Sequence, residues 1–247
     1  MSNHVSDIHW YSEPHPVLVG FGAGLFLSAA FFFKFFNQQG LIAIFALTLA
    51  VVMVLVGGVF WVNEAVGAVK GEGWSPSVMW IFFSLEALII AGVGIAYWMI
   101  RASSPAWPPV GTPEIYKPIF ATLFILLSSI TATFAYMKQQ KNDVSGFMLM
   151  TIATVVVWVG FSVLTMMSWG HLIALGFHLN TNAYAIVLYG MTGIHFAHIA
   201  FGLFILFLAL SRAVHDHLND YFTRSMSMYV HFVNLLSVWV LVLVFLW

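Results

Sequence analysis

Residues 77–100 read SVMWIFFSLEALIIAGVGIAYWMI, and this stretch decides how the chain is built. A hydrocarbon core is crossed by about 20 apolar residues in a helix, and here a run of that length carries one charged side chain, Glu86. No other acidic residue lies in the middle of an apolar stretch. A carboxyl group at that depth must be protonated, paired or functional, because an unpartnered charge in hydrocarbon is costly.

Working outward, the same apolar length recurs at 16–36, 41–62, 118–137, 146–169, 184–210 and 227–247. Seven membrane-spanning helices would use almost the whole chain, giving an all-α integral membrane bundle with 1–247 as a single transmembrane domain. Composition agrees: 62% of the 247 residues are hydrophobic and 7% charged, at a mean hydropathy of +0.96. The longest connections, 101–117 and 211–226, are too short for a soluble domain. Pro16, Pro76 after Ser75, and Pro118 stand where a helix begins and a missing amide proton costs nothing. The first 14 residues hold Asp7 and Glu13 but no Lys or Arg, so they do not read as a signal peptide.

Eight Lys plus Arg against nine Asp plus Glu, with no basic run, argue against nucleic acid as a partner. The absence of cysteine removes disulfides, thiolate nucleophiles and Cys-ligated clusters. With seven crossings, Lys70, Lys138, Lys141, Arg212 and Arg224 share the side of the N-terminus, and Lys34, Arg101 and Lys117 lie opposite. This excess places the N-terminus inside. Gly20, Gly22 and Gly24 in the first stretch and Gly57 and Gly58 in the second allow close helix approach. Trp10, Trp61, Trp74, Trp98, Trp107 and Trp247 fall near span ends, as in an aromatic belt.

At 1.5 Å per residue Glu86 is about 15 Å into its helix. His195 reaches a similar depth from the other direction, with His198 one turn on. Either histidine can pair with Glu86, and the three form the candidate intramembrane polar site. The two histidines are too few for a metal shell, and neither His171 nor His231 matches their depth for a bis-histidine haem. The twelve methionines read as packing. His231, some five residues into the last stretch and beside the loop bearing Arg212 and Arg224, suits a phospholipid phosphate.

Four motifs then carry a family resemblance. Trp107-Pro108-Pro109-Val110-Gly111 is followed by Pro118, Thr122-Leu123, Leu127-Ser128-Ser129 and Thr131; Ser84-Leu85-Glu86 precedes it. Thr192-Gly193-Ile194-His195-Phe196-Ala197-His198 with Gly202, and Tyr229-Val230-His231-Phe232-Val233, come after. Together, in this order, they resemble subunit III of the haem-copper terminal oxidases, the cytochrome c oxidase subunit III family.

The resemblance implies a cofactor-free subunit with no active site of its own, beside oxidase subunit I and other subunits that hold the haems and copper. It implies that helices one and two splay from helices three to seven around a lipid cleft. It further implies support for stability and proton uptake in aerobic respiration, and a place in the bacterial inner membrane rather than the mitochondrial one, with a respiratory supercomplex as a further partner. It assigns Arg212 and His231 to lipid contact. It also sets the tail bearing His4, His9 and His15 near a proton entrance, where groups titrating around neutrality can collect protons. The sequence departs from the family at Asn234, where Asp is frequent, at Ser168-Trp169-Gly170-His171, where Glu is frequent, and at Trp74-Ser75-Pro76-Ser77, which lacks an Arg. Cytochrome c oxidase is the favoured complex. The alternatives are a quinol oxidase subunit III, a haem-binding membrane electron carrier and a small proton-linked transporter.

Overall fold

The computed structural model describes residues 22, 25, 44–46, 48–57 and 76–246. The chain divides into two packed units, Met1–Gly71 and Glu72–Trp247. In the first, Gly22 meets an apolar helix over Ile44–Gly57, and a β-carbon on Gly22 would come within 2.9 Å of Val54 Cγ2 and 3.1 Å of the Ala50 carbonyl. Glycine is therefore what lets these backbones approach. Gly20, Gly24, Gly58 and the tail histidines His4, His9 and His15 lie outside the described residues.

The second unit holds α1 (Pro76–Ala102), α2 (Ile119–Gln140), α3 (Val144–Ala174), α4 (Ala183–Val214) and α5 (Asp220–Val240), the last prolonged by a π-helical turn over Leu241–Leu246. All five are long and apolar enough to cross a membrane, and no strand occurs among the described residues.

The helices run further than the apolar stretches that announce them. The connection expected over 211–226 shrinks to the residues between Val214 and Asp220. The turns added on either side of it hold Arg212, Asp220 and Arg224, which lower the local hydropathy, and side-chain caps mark the helix starts. Asp143 accepts from the Gly146 amide at 2.8 Å, Asn182 from Ala185 at 2.9 Å and Asn219 from Phe222 at 2.8 Å. At the other end of α3, Gly176 takes φ +78°, which returns the Phe177 amide to the Leu172 carbonyl at 2.9 Å and satisfies the last turn.

Helix α5 is the hub. Half of its apolar window is buried, against 11% for α1. It runs antiparallel to α2 along a polar seam: Thr223 donates to Gln139 at 3.1 Å, His231 to Thr133 at 3.2 Å, and Asn234 to Ser129 at 2.7 Å. As the α5 number rises its α2 partner's falls, which fixes the register. Hydrophobic packing cannot set such a register in lipid, where tails are as apolar as leucine, so hydrogen bonds and small residues do.

The seam's tightest node joins three helices. Ser128 Oγ donates to the Ile125 carbonyl at 2.6 Å and accepts from Trp158 Nε1 and Asn234 Nδ2, both at 2.8 Å. One hydroxyl proton and two lone pairs are thereby used up. The same count orients the Asn234 amide, since Ser128 has no proton left for its oxygen, and Asn234 Oδ1 stays buried without a partner.

Candidate functional site

Glu86 and His198 meet at the edge of the α1, α4 and α5 contact. Glu86 Oε2 lies 3.4 Å from His198 Nε2, with side-chain exposures of 21% and 16%. Helix α1 reaches this point through aromatic packing: Phe83 stacks on Phe232 with centroids 4.8 Å apart, and Phe82 lies 6.4 Å from the Tyr229 ring. Tyr229 in turn donates from its hydroxyl to the His198 carbonyl at 3.1 Å.

The ring's tautomer follows from its other nitrogen. His198 Nδ1 is 2.8 Å from the Ile194 carbonyl, an acceptor only, so Nδ1 carries a proton. A neutral ring then presents Nε2 as an acceptor. Contact with Glu86 therefore requires one proton between the two groups, held either by the carboxyl or by the imidazole. Whichever partner holds it, the pair carries no net charge.

His195 is not part of this pair. Three residues along a helix correspond to a rotation of about 300°, so the two rings diverge by about 60°. His195 is buried, donates from Nε2 to the Val233 carbonyl at 3.3 Å, and meets Phe161 edge-on at 5.4 Å.

The three basic residues read as a phosphate site are not gathered at one point. Arg212 is buried, donates from Nε to the His217 carbonyl at 3.1 Å and sits over the Phe222 ring at 5.0 Å. Arg224 is exposed. His231 is exposed on α5 nine residues beyond Phe222, about 13 Å along the helix axis, bonded to Thr133. Because α5 starts at Asp220 rather than near 227, His231 is eleven residues into its helix and deeper than the apolar stretch alone implies.

The node around Ser128 is not legible as a site in the sequence, although Ser128, Ser129 and Asn234 each stand out as polar residues in apolar runs. Their spacing gives no sign that they converge. Trp107 carries no charge, yet it ties the far ends of α1 and α4, edge-on to Tyr97 at 5.8 Å and to Tyr184 at 5.3 Å. Among the described residues no three His, Cys, Asp or Glu cluster closely enough to hold a metal ion.

A bundle of long apolar helices, joined by buried polar groups and carrying a carboxyl–imidazole pair within its spans, defines a multi-pass membrane protein. The chain matches the family described as cytochrome c oxidase subunit III over residues 8–247, and it belongs to that family. It is 29% identical over 175 residues to cytochrome c oxidase subunit 3 of Thermostichus vulcanus, covering 68% of this chain and 83% of the relative. With the subunit 3 of Synechocystis sp. it shares 30% identity over 174 residues, 67% of this chain and 72% of that protein. The Bacillus subtilis subunit 3 is 29% identical over 175 residues, covering 68% and 83% of the two chains. A terminal-oxidase context and a complex with other oxidase subunits follow from the family.

Proposed function

We propose that this chain is a non-catalytic, cofactor-free membrane subunit of a respiratory haem-copper oxidase that takes electrons from cytochrome c. In this reading it sits beside the oxygen-reducing subunit, maintains that subunit's stability and supports its proton uptake. The observation that carries the reading is the family match across residues 8–247, and the relatives' names favour cytochrome c over quinol.

The proposal takes the chain as one transmembrane domain of seven helices, the first two splayed from the rest around lipid, with the N-terminus on the inner side of a bacterial membrane. Glu86 and His198 hold α1 to α4 and keep a single proton at mid-membrane depth. Arg212, Arg224 and His231 serve lipid, with His231 about 10 Å further along α5 than Arg224 rather than in one phosphate clamp. Exposed Arg224 is the member best able to reach a headgroup, where a basic residue is worth about 1 kcal/mol. The histidines of the tail, His4, His9 and His15, gather protons for the neighbouring subunit, and the complex works within a respiratory assembly.

Affinity purification through this chain in mild detergent tests the reading. Haem- and copper-bearing oxidase subunits should co-purify in fixed stoichiometry, and the chain separated from them should lack a Soret band. Stoichiometric haem in the separated chain, or purification without an oxidase partner, would overturn it.

A further inference from the structure

A cavity of about 310 Å³ opens between α2, α3, α4 and the end of α5; His195 lines it, while neither Glu86 nor His198 does. Its walls are mainly apolar and aromatic, including Phe161, Leu164, Trp169 and Leu188, and no Lys, Arg, Asp or Glu lines it. Phe120 and Leu164 in its lining are exposed on apolar helices, so the mouth opens on an apolar surface of this chain.

Two buried polar side chains on the wall have unused hydrogen-bonding capacity. His195 is 4% exposed, and its Nε2 proton is spent on the Val233 carbonyl. A neutral ring so fixed leaves Nδ1 as a bare acceptor, and no group among the described residues meets it. Ser237, 3% exposed, has a hydroxyl without a partner among the described residues. Neither atom is among the fully sealed, unpartnered ones of the described residues, which are Thr151 Oγ1 and Asn234 Oδ1, so both retain access to the cavity. Of the other hydroxyls on the wall, those of Thr122, Thr165 and Thr192 are already donated to the Pro118, Phe161 and Leu188 carbonyls, while Tyr116 and Ser168 are exposed rather than buried.

The occupant must therefore be neutral, enter across that apolar surface, fill an aromatic cleft and bring a hydroxyl proton for an imidazole nitrogen. We propose that this cavity is a binding site for a hydrophobic alcohol or phenol, its hydroxyl donating to His195 Nδ1 and accepting from Ser237. A phosphate headgroup finds no countercharge here. An acyl chain alone would leave two buried polar atoms unpaired, which is costly.

Native membranes containing the full chain can be photolabelled with a diazirine-bearing alkylphenol and the adducts mapped by peptide sequencing. Labelling should fall on 116–122, 161–172, 188–195 or 237–245. An unlabelled 2,6-dialkylphenol should compete about ten-fold better than its methyl ether, which lacks the proton that Nδ1 requires. Ser237→Leu, which fills the cavity from the wall, should abolish the adduct while the chain still accumulates in the membrane. His195→Phe should remove the preference of phenol over ether. Equal competition by the ether, adducts elsewhere only, or labelling that survives Ser237→Leu would overturn the proposal and leave the cavity to water or packing defects.

Discussion

Gly202 on α4 faces Trp158 on α3 so closely that a β-carbon at this position would overlap the six-membered ring of the indole and stand 3.0 Å from Tyr229 Cε1. Trp158 is fully buried and tethered to Ser128, so its ring has nowhere to move. Gly202→Ala should therefore destabilise the folded bundle by about 1–3 kcal/mol, as overpacking does, despite the better helix propensity of alanine. Gly193→Ala on the same helix meets nothing within 4 Å and should be neutral or stabilising. Thermal stability in one detergent compares the two, and equal melting temperatures would contradict the packing argument.

The node at Ser128 makes a second prediction. Ser128→Ala strands the Trp158 N–H and one Asn234 N–H, each without water to replace the lost acceptor, and should cost about 1–3 kcal/mol. Trp158→Phe removes one of those donors in advance. A double-mutant cycle should then show the Ser128→Ala penalty reduced in the Trp158→Phe background, with a coupling of at least about 0.5 kcal/mol. Strictly additive penalties would mean that the bond contributes nothing.

At the mid-membrane pair, the tautomer dictates which replacement is tolerated. His198 Nε2 accepts when the ring is neutral, so Glu86→Gln can donate an amide proton to it, whereas Glu86→Ala and Glu86→Leu leave it bare. Gln should keep near-normal amounts of the chain assembled in the membrane, while Ala and Leu should reduce them. Quantifying membrane-inserted chain for the three variants decides this, and Leu performing as well as Gln would remove the pair from any stabilising role.

Outside the membrane the pH response has a definite sign. Asp143 caps α3, and its carboxyl is held below the usual carboxylate value, first by the hydrogen bond from Lys138 and then by that from the Gly146 amide. The folded state therefore binds this proton less tightly than the unfolded state. The cap's contribution is complete above the ordinary carboxylate pKa of 3.8 and is lost as pH falls through the lower folded value. Hydrogen exchange at the start of α3 should accelerate on acidification below that range. Asp143→Asn should flatten this dependence while retaining part of the cap, and an unchanged pH profile in that variant would assign the effect to another group.

What the sequence determined by itself is the membrane-spanning character of the chain and the approximate location of the five helices described in its second unit. Apolar run length is a local property, and the hydrocarbon thickness converts it directly into a helix. Hydropathy understates the ends of α4 and α5 because Arg212, Asp220 and Arg224 lie in their outer turns; Asn219, whose side chain accepts from the Phe222 amide, is the signal that finds the start of α5. Depth also marked Glu86 and the two histidines of α4 as possible partners. The rotation of α4 chose between them, turning His198 to Glu86 and His195 to Val233. Tertiary structure alone brought Ser128, Trp158 and Asn234 together, since three side chains on three helices converge only when all three rotations are fixed. It likewise separated Arg212 from His231, which one added stretch of helix, Asp220 onward, pushes apart along the bundle axis.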